Sequence, residues 1–236
     1  MWPDFSQRSS QLELMDDPTI PAAELVATLG ELDWLNNTFR GHQISLLGIR
    51  SLIPNGAKTL SVLDVGTGSG DLVRALVHWA AQDGMLVQAT GIDLLPAAIE
   101  HARASTPASA PVAFARQDLF DYPDQPLFDV VHAGLVLHHC PGQEAVAALQ
   151  KMYALSRWGV VINDLHRHPL HWLGVRAIVR LMGANRLVRA DGPLSVLRAF
   201  SRGELETLAA DAQLEQAEIS WHPPFRWLLV CRKPAN

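Results

Sequence analysis

Residues 60–70 read LSVLDVGTGSG, and this stretch decides the fold of the chain. An apolar, β-branched run that carries one acid, Asp64, leads directly into glycines at positions 66, 68 and 70. From Asp71 to Ala81 the apolar residues then recur at helical spacing. The pattern predicts a strand, a glycine-rich turn and a helix. This is the first unit of an open α/β sheet, a fold that binds ligands at the carboxyl ends of its strands.

The spacing of the glycines narrows the choice of ligand. A dinucleotide-binding turn has the form G-x-G-x-x-G/A, with a pyrophosphate over the helix N-terminus. Counted from Gly66 and Gly68, the third position of that pattern is Asp71, whose carboxylate would repel a pyrophosphate. The pattern here is instead D-x-G-x-G-x-G. It resembles the first motif of class I S-adenosylmethionine-dependent methyltransferases, which bind the methionine part of the cofactor over this turn.

Two further acids follow at the ends of the next strands. Residues 85–93 form a second apolar run that ends in Asp93, where a carboxylate can accept hydrogen bonds from ribose hydroxyls. NAD enzymes also have an acid at this point, so Asp93 indicates a ribose without choosing the cofactor. A third run, residues 112–116, leads to Asp118 and Leu119. In the family that the chain resembles, an acid and an apolar residue here contact the adenine.

A fourth apolar run, residues 128–133, leads into GLVLHH at positions 134–139. In the resembled family this stretch lies between the cofactor and the methyl acceptor. The resemblance implies an α/β, Rossmann-like fold with a seven-stranded mixed sheet and a reversed last strand. It also implies S-adenosylmethionine as cofactor and S-adenosylhomocysteine as product. The cofactor-binding residues that it implies are Asp64, Gly66, Thr67, Gly68, Gly70, Asp93, Leu94, Asp118, Leu119 and Ala133.

The chain is expected to form a single methyltransferase domain with four parts. These are a helical N-terminal cap (1–56), a cofactor-binding core (57–165), a helical lid after strand five (166–200), and a C-terminal helix with a strand hairpin (201–236). In the cap we expect two helices, Ala22–Leu29 and Leu32–Phe39. In the lid, Asp191-Gly192-Pro193 indicates a turn. Ser201 and Glu204 predict a capping box at the start of the C-terminal helix.

The composition excludes several classes of function. A net charge of −5 gives no overall basic surface for nucleic acid. Two cysteines do not make a secreted disulfide framework, and the N-terminus lacks the pattern of a signal peptide. No apolar run reaches the length of a membrane span. We therefore expect a cytoplasmic protein that acts on a small-molecule acceptor, without nucleic acid or stable membrane insertion, and with a homodimer as an open possibility.

Histidines are the candidate catalytic residues. Methyl transfer to a hydroxyl requires removal of a proton, and the unperturbed pKa of histidine suits a general base near neutrality. His138 and His139 follow strand four, and His166 follows strand five. We rank His138 first, His166 second and His139 third. Each of them can instead have a purely structural role in its loop.

The sequence predicts no metal site. His166, His168 and His171 have a spacing that could bind a metal, but Pro169 interrupts the helical register between them. Metal-dependent catechol-type enzymes need an acid just after strand four, where this chain has Ala133-Gly134-Leu135. Asn163 and Asp164 are therefore expected to orient the acceptor or a histidine.

The acceptor is expected to be flat and apolar, because the lid segment 170–182 would cover it with apolar side chains. Further apolar side chains are expected from the cap residues Trp34, Leu35, Phe39 and Leu46. The whole chain is similar, more loosely, to bacterial small-molecule methyltransferases of polyketide-type pathways. O-methylation of a phenolic or quinone-like compound is the first hypothesis. C-methylation of an aromatic or polyketide acceptor and a cofactor-binding protein without turnover stay open. An NAD(P)-dependent reductase is disfavoured by Asp71 and by the lack of a Tyr-x-x-x-Lys pair.

Overall fold

A computed structural model describes residues 2–17 and 19–234, which form a seven-stranded mixed sheet with helices on both faces. The strand order is β3-β2-β1-β4-β5-β7-β6, and β7 is antiparallel to both of its neighbours. The strands are β1 (Thr59–Val65), β2 (Leu86–Asp93), β3 (Val112–Arg116), β4 (Phe128–Gly134), β5 (Ser156–Leu165), β6 (Ala217–His222) and β7 (Arg226–Arg232). The fold class expected from the sequence, including the reversed last strand, is confirmed.

Eight α-helices accompany the sheet within the described residues. They are α1 (Ala22–Thr38), α2 (Gly41–Leu52), α3 (Asp71–Gln82), α4 (Pro96–Ala104), α5 (Gly142–Leu155), α6 (Pro169–Leu181), α7 (Arg186–Arg198) and α8 (Arg202–Asp211). Helices α2, α3 and α4 pack on one face of the sheet, and α5 and α8 on the other. Apolar residues of β1, β4 and β5 are buried on both sides, as expected for central parallel strands. No helix in the described part of the chain is both long and apolar enough to cross a bilayer.

The cap differs from the expectation in one respect. The sequence predicts two helices, Ala22–Leu29 and Leu32–Phe39, but the structure has one continuous helix, α1, that passes through Gly30. A glycine in a helix interior costs only about 0.5–1 kcal/mol relative to alanine. Leu25 and Leu29 pack against α4 in a small apolar cluster. This burial outweighs the cost of the glycine.

The lid contains a helix, α7, at a place where the sequence predicts a turn. The predicted turn at Asp191-Gly192-Pro193 is wrong, because all three residues lie inside α7. The helix begins at an N-cap, Asn185, whose side chain accepts a hydrogen bond from the Val188 N–H at 3.0 Å. Apolar side chains on α7, such as Leu187 and Val196, are fully buried. Their burial offsets the proline, which costs about 3 kcal/mol in a helix interior. The capping box of Ser201 and Glu204 is confirmed at the start of α8.

The residues before α1 lie across the carboxyl end of the sheet; we call residues 2–17 the N-terminal strap. It is hydrogen-bonded to α7 of the lid and to the loop after β4. The Asp191 carboxylate accepts hydrogen bonds from the Leu14 and Met15 N–H groups, at 2.8 and 2.9 Å. The Arg8 guanidinium donates to the carbonyl oxygens of Arg198, at 2.6 Å, and His138, at 2.9 Å. The strap and the lid therefore form one cover over the strand ends.

Candidate active site

A large cavity lies at the carboxyl ends of the parallel strands, between the sheet and its cover. Its volume is about 690 Å³, which lies within the usual range for small-molecule sites. The loops after β1, β2, β3 and β4 form its floor, and the strap, α1, α6 and α7 form its walls and roof. The position matches the rule that open α/β sheets bind ligands at the carboxyl edge.

The glycine turn after β1 forms one end of the floor. Gly66, Thr67 and Gly68 line the cavity, and both glycines have positive φ, 65° and 53°, which favours residues without a Cβ. Asp64 lies beneath the turn and is buried. One of its oxygens accepts from the Thr67 hydroxyl at 2.7 Å, and the other is 2.7 Å from Nδ1 of His132. Asp64 therefore holds the turn in shape from below. His132, which the sequence analysis missed, completes this support.

Asp93 lies at the end of β2, in the cavity wall. Its carboxylate accepts hydrogen bonds from the N–H groups of Gly68, at 3.0 Å, and Leu95, at 2.9 Å. Burial raises the pKa of Asp93, and these two backbone hydrogen bonds oppose the rise. Because each carboxylate oxygen has two lone pairs, both oxygens can still accept from a ligand hydroxyl.

Asp118 and Leu119 line the cavity farther along the same side. Asp118 accepts a hydrogen bond from the Phe120 N–H at 2.9 Å, and Leu119 is buried. The floor thus presents open glycine backbone, then a carboxylate, then a carboxylate beside an apolar side chain. This sequence of groups fits the amino-acid, ribose and adenine parts of S-adenosylmethionine, in that order.

Of three further residues that we expected to bind the cofactor, one lines the cavity and two do not. Leu94 lines the cavity from an exposed position, but Gly70 and Ala133 do not line it. Gly70 is the N-cap of α3, where a Cβ would come within 2.7 Å of the Phe114 ring. Ala133 is buried within β4, and its successor Gly134 reaches the cavity instead. The contact of each residue with the cofactor stays a prediction.

His138 lies in the cavity wall and is almost fully buried. Its Nδ1 is 2.7 Å from Oδ1 of Asp164, and its backbone N–H donates to the other oxygen of that carboxylate. Burial opposes ionisation of Asp164, but the attraction and hydrogen bond of His138 prevail and hold the pKa of Asp164 below its usual value. An ionised carboxylate can only accept, so Nδ1 of the imidazole donates a hydrogen bond to Asp164. Asp164 thus orients a histidine, as the sequence suggested.

Glu13, on the strap, faces the same histidine and is absent from the sequence-based set. One of its oxygens, Oε1, lies 3.7 Å from Nε2 of His138 and 3.6 Å from Nε of Arg198, without a hydrogen-bond partner among the described residues. Burial raises the pKa of Glu13 to about 7, although His139 and Arg198 oppose the rise. No motif marks this residue, because 125 positions separate it from His138 and only the folded strap brings them together.

Glu13, His138 and His139 also form a group whose ligand atoms all lie within 4.8 Å of one another, close enough for a metal ion. Nδ1 of each histidine faces a carboxylate, Asp164 or Asp16, as in many metal sites. The positive charge of Arg198 beside Glu13, however, disfavours a second cation.

The second-ranked histidine, His166, does not line the cavity. Its Nδ1 accepts a hydrogen bond from Nε1 of Trp221 at 3.2 Å, and its ring packs 4.8 Å from that of Trp227. His171, on α6, is the lid histidine that lines the cavity. Burial lowers the pKa of His171 to about 4, so it is neutral at pH 7. The backbone of His166 forms an isolated bridge with Phe200, and the role of His166 as a base stays a prediction.

The upper part of the cavity is mainly apolar. Its side chains come from α1, α6 and α7, and include Leu32, Leu35, Phe39, Val175, Ile178, Val179, Leu187 and Val188. The expectation of an apolar roof is confirmed for the cap residues Leu35 and Phe39, but Trp34 and Leu46 do not line the cavity. The cavity therefore has a polar floor along the strand ends and an apolar roof, and the Asp164–His138 pair lies at its wall.

Comparison with known proteins agrees with this description. Residues 62–159 match the model of a methyltransferase domain. Together with the strand order and the D-x-G-x-G-x-G turn, this match makes residues 62–159 similar to the cofactor-binding domain of class I S-adenosylmethionine-dependent methyltransferases.

Individual relatives share the sequence or the fold to different degrees. The chain is 31% identical over 140 residues to the demethylmenaquinone methyltransferase of Roseiflexus castenholzii; the alignment covers 55% of this chain and about half, 54%, of that protein. The magnesium protoporphyrin IX methyltransferase of Synechocystis PCC 6803, solved with bound S-adenosylhomocysteine, has a TM-score of 0.57 at 17% identity over 84% of each chain. Human N-acetylserotonin methyltransferase has a TM-score of 0.64 at 14% identity, over 91% of this chain and 57% of its own. These two structures share the fold.

Proposed function

We propose that this protein transfers a methyl group to the hydroxyl of a small phenolic or quinone-like compound, with His138 as the general base. The observation that carries the proposal is the buried Asp164–His138 pair, 2.7 Å apart, in the wall of a largely apolar cavity. S-adenosylmethionine supplies an electrophilic methyl group when bound along the polar floor. The residues of the chain must orient the acceptor, exclude water and take up the proton of its hydroxyl.

Several features suit His138 to this task. Asp164 fixes the ring orientation and holds the proton on Nδ1, so Nε2 is free to accept a proton from the acceptor. When Nε2 becomes protonated, the adjacent carboxylate stabilises the imidazolium, as the aspartate does in a serine hydrolase triad. A positioned base of this kind contributes typically about 10²–10⁴-fold in rate. His171, which is neutral and lies on α6, can only donate or accept a hydrogen bond.

The apolar roof supports a flat, apolar acceptor. Burial of aromatic surface against leucine, isoleucine and valine side chains is favourable at roughly 25 cal/mol per Å². The Roseiflexus relative is named for a demethylmenaquinone acceptor, which is consistent with a quinone-like compound here. The choice of oxygen rather than carbon as the methylated atom follows from the presence of a base, since a hydroxyl must lose a proton and an activated ring carbon gains most from positioning alone.

The test is a kinetic comparison of His138 variants with methyl-labelled S-adenosylmethionine and a panel of hydroquinones and simple phenols. For any accepted compound, we expect His138→Asn to lower kcat at least about 10²-fold, while the Kd of S-adenosylhomocysteine changes less than about twofold. Asp164→Asn should give a similar loss, because the amide no longer fixes the Nδ1–H tautomer. His78→Asn is the matched control: this histidine is exposed on α3, and its Nε2 lies 3.0 Å from Nε2 of Gln82.

The site of methylation and the pH profile decide between the reactions. A methyl ether as product, with an acid-limb pKa in kcat that disappears in His138→Asn, supports the proposal. A C-methylated product together with wild-type rates in His138→Asn would refute O-methylation and support C-methylation instead. Tight S-adenosylmethionine binding with no turnover over the panel would favour a cofactor-binding protein without this activity.

A further inference from the structure

Arg226, the first residue of β7, is a buried cation whose role the catalytic scheme does not explain. It pairs with Leu165 of β5 and His222 of β6, and only 8% of it is exposed. Its guanidinium donates one hydrogen bond, from Nη2 to Oδ1 of Asn36 at 3.1 Å. Within residues 2–17 and 19–234, no carboxylate lies within ion-pair distance of it. A guanidinium has five N–H donors, so most of its capacity is unused by the described residues.

A buried and unpaired guanidinium is energetically costly unless a ligand compensates it. Burial lowers the pKa of Arg226 to about 10, which still leaves the group charged at neutral pH. Asp71 and Asp164 attract it from a distance, but both carboxylates are already engaged. Oδ2 of Asp71 lies 2.6 Å from Nε2 of His42, and Oδ1 of Asp164 lies 2.7 Å from Nδ1 of His138. The chain therefore supplies the positive charge and leaves its counter-ion to come from elsewhere.

The position of Arg226 shows where that counter-ion would bind. The residue lines the large cavity, and it also lines a small polar cavity of about 40 Å³ shared with Gly66, Gly134 and Asn36. Gly66 is the first glycine of the turn after β1. Arg226 and Gly66 therefore line the same small cavity, at the end of the site where the glycine turn lies.

We propose that Arg226 binds a carboxylate of a bound ligand at the glycine-turn end of the cavity. Planar guanidinium and carboxylate groups pair through two parallel hydrogen bonds, so this residue type suits that ligand group. The carboxylate of the amino-acid part of the cofactor is one source, since Arg226 and Gly66 share a cavity. An acidic group on the methyl acceptor is the other source. The assignment rests on the cofactor class of the protein and does not depend on His138 or on the chemistry of the acceptor.

Calorimetric titration with two nucleosides tests whether the carboxylate belongs to the cofactor or to the acceptor, and it requires no turnover. S-adenosylhomocysteine carries the carboxylate, and 5′-methylthioadenosine has the same adenosine and thioether but lacks the amino-acid part. We expect Arg226→Gln to weaken the binding of S-adenosylhomocysteine at least about tenfold. The Kd of 5′-methylthioadenosine should stay within about twofold of its wild-type value. Retained binding of the second ligand also shows that the variant is folded. The affinity of Arg226→Lys for S-adenosylhomocysteine should lie between those of wild type and Arg226→Gln, because lysine keeps the charge and loses the bidentate geometry.

Arg202→Gln is the matched control, because this exposed arginine pairs only with Glu206 on α8. If both nucleosides bind Arg226→Gln as they bind wild type, the cofactor is not the source. The second arm then titrates the S-adenosylhomocysteine complex with 4-hydroxybenzoate and with phenol. Selective loss of 4-hydroxybenzoate binding in the variant supports an acidic acceptor. Equal losses for both nucleosides, or equal behaviour of all four ligands in variant and wild type, would overturn the proposal.

Discussion

Replacement of Glu13 by glutamine should make the protein more stable above neutral pH, by an amount that the structure allows to be calculated. Glu13 is 3% exposed, and its Oε1 has no hydrogen-bond partner among the described residues. Burial raises its pKa from 4.5 to about 7. The difference between these two pKa values corresponds to at most about 3 kcal/mol between the protonated and the ionised form.

The sign of the effect follows from the direction of the shift. A carboxyl group with a raised pKa in the folded state contributes stability that is fully present below its unfolded pKa, near 4.5, and is lost as pH rises through about 7. His139 and Arg198 reduce the penalty for the charged form, and Asp191 increases it. Glu13→Gln does not titrate. The free energy of unfolding of the variant minus that of wild type should therefore increase by up to about 3 kcal/mol between pH 5 and pH 8.

Urea denaturation at pH 5, 6, 7 and 8, followed by tryptophan fluorescence, measures this difference directly. Glu206→Gln is the control, since that glutamate is exposed and pairs only with Arg202 on the same helix. Its difference from wild type should change by less than about 0.5 kcal/mol over the same range. A Glu13→Gln difference that is independent of pH would refute the reasoning, because it would mean that Glu13 titrates normally in the folded protein.

Three other outcomes are expected. Asp93→Ala should weaken S-adenosylhomocysteine at least about tenfold, since a hydrogen bond to a charged group contributes about 1.5–3 kcal/mol; an unchanged Kd in calorimetry would remove Asp93 from the ribose site. Methyl transfer should survive excess EDTA, because β4 ends without an acid; activity that is lost with EDTA and restored by a divalent ion would instead assign a metal to Glu13, His138 and His139. Gly70→Ala should lose about 1–3 kcal/mol in urea denaturation, because φ is 77° and the new Cβ would lie 2.7 Å from Phe114; wild-type stability would show that this contact relaxes.

The sequence by itself determined the sheet and the cofactor side of the cavity. The glycine turn, Asp93, and Asp118 with Leu119 each directly follow an apolar run that becomes a parallel strand. Parallel strands end at the same edge of a sheet, so residues that follow them in sequence must come together in space. The order of motifs along the chain was therefore enough to place Asp93 and Asp118 along one wall.

The acceptor side was decided only by the tertiary structure. Composition could not distinguish His138 from His166, since both follow a strand and both lie near acids in the sequence. The difference arises from long-range contacts: Asp164 and Glu13 converge on His138, while His166 accepts a hydrogen bond from Trp221 outside the cavity.

The helices of the cover were likewise settled by packing. Gly30 and Pro193 are local breaker signals, and both were overridden because α1 and α7 bury apolar faces that are worth more than the backbone penalty. Arg226 had no sequence signal at all, since a lone arginine in a late strand is usually exposed. Its burial depends on how β7 inserts between β5 and β6, and such non-local pairing is not encoded in any short stretch of the chain. Local patterns specify what lies at the end of one strand, and only the folded chain specifies which distant side chains meet there.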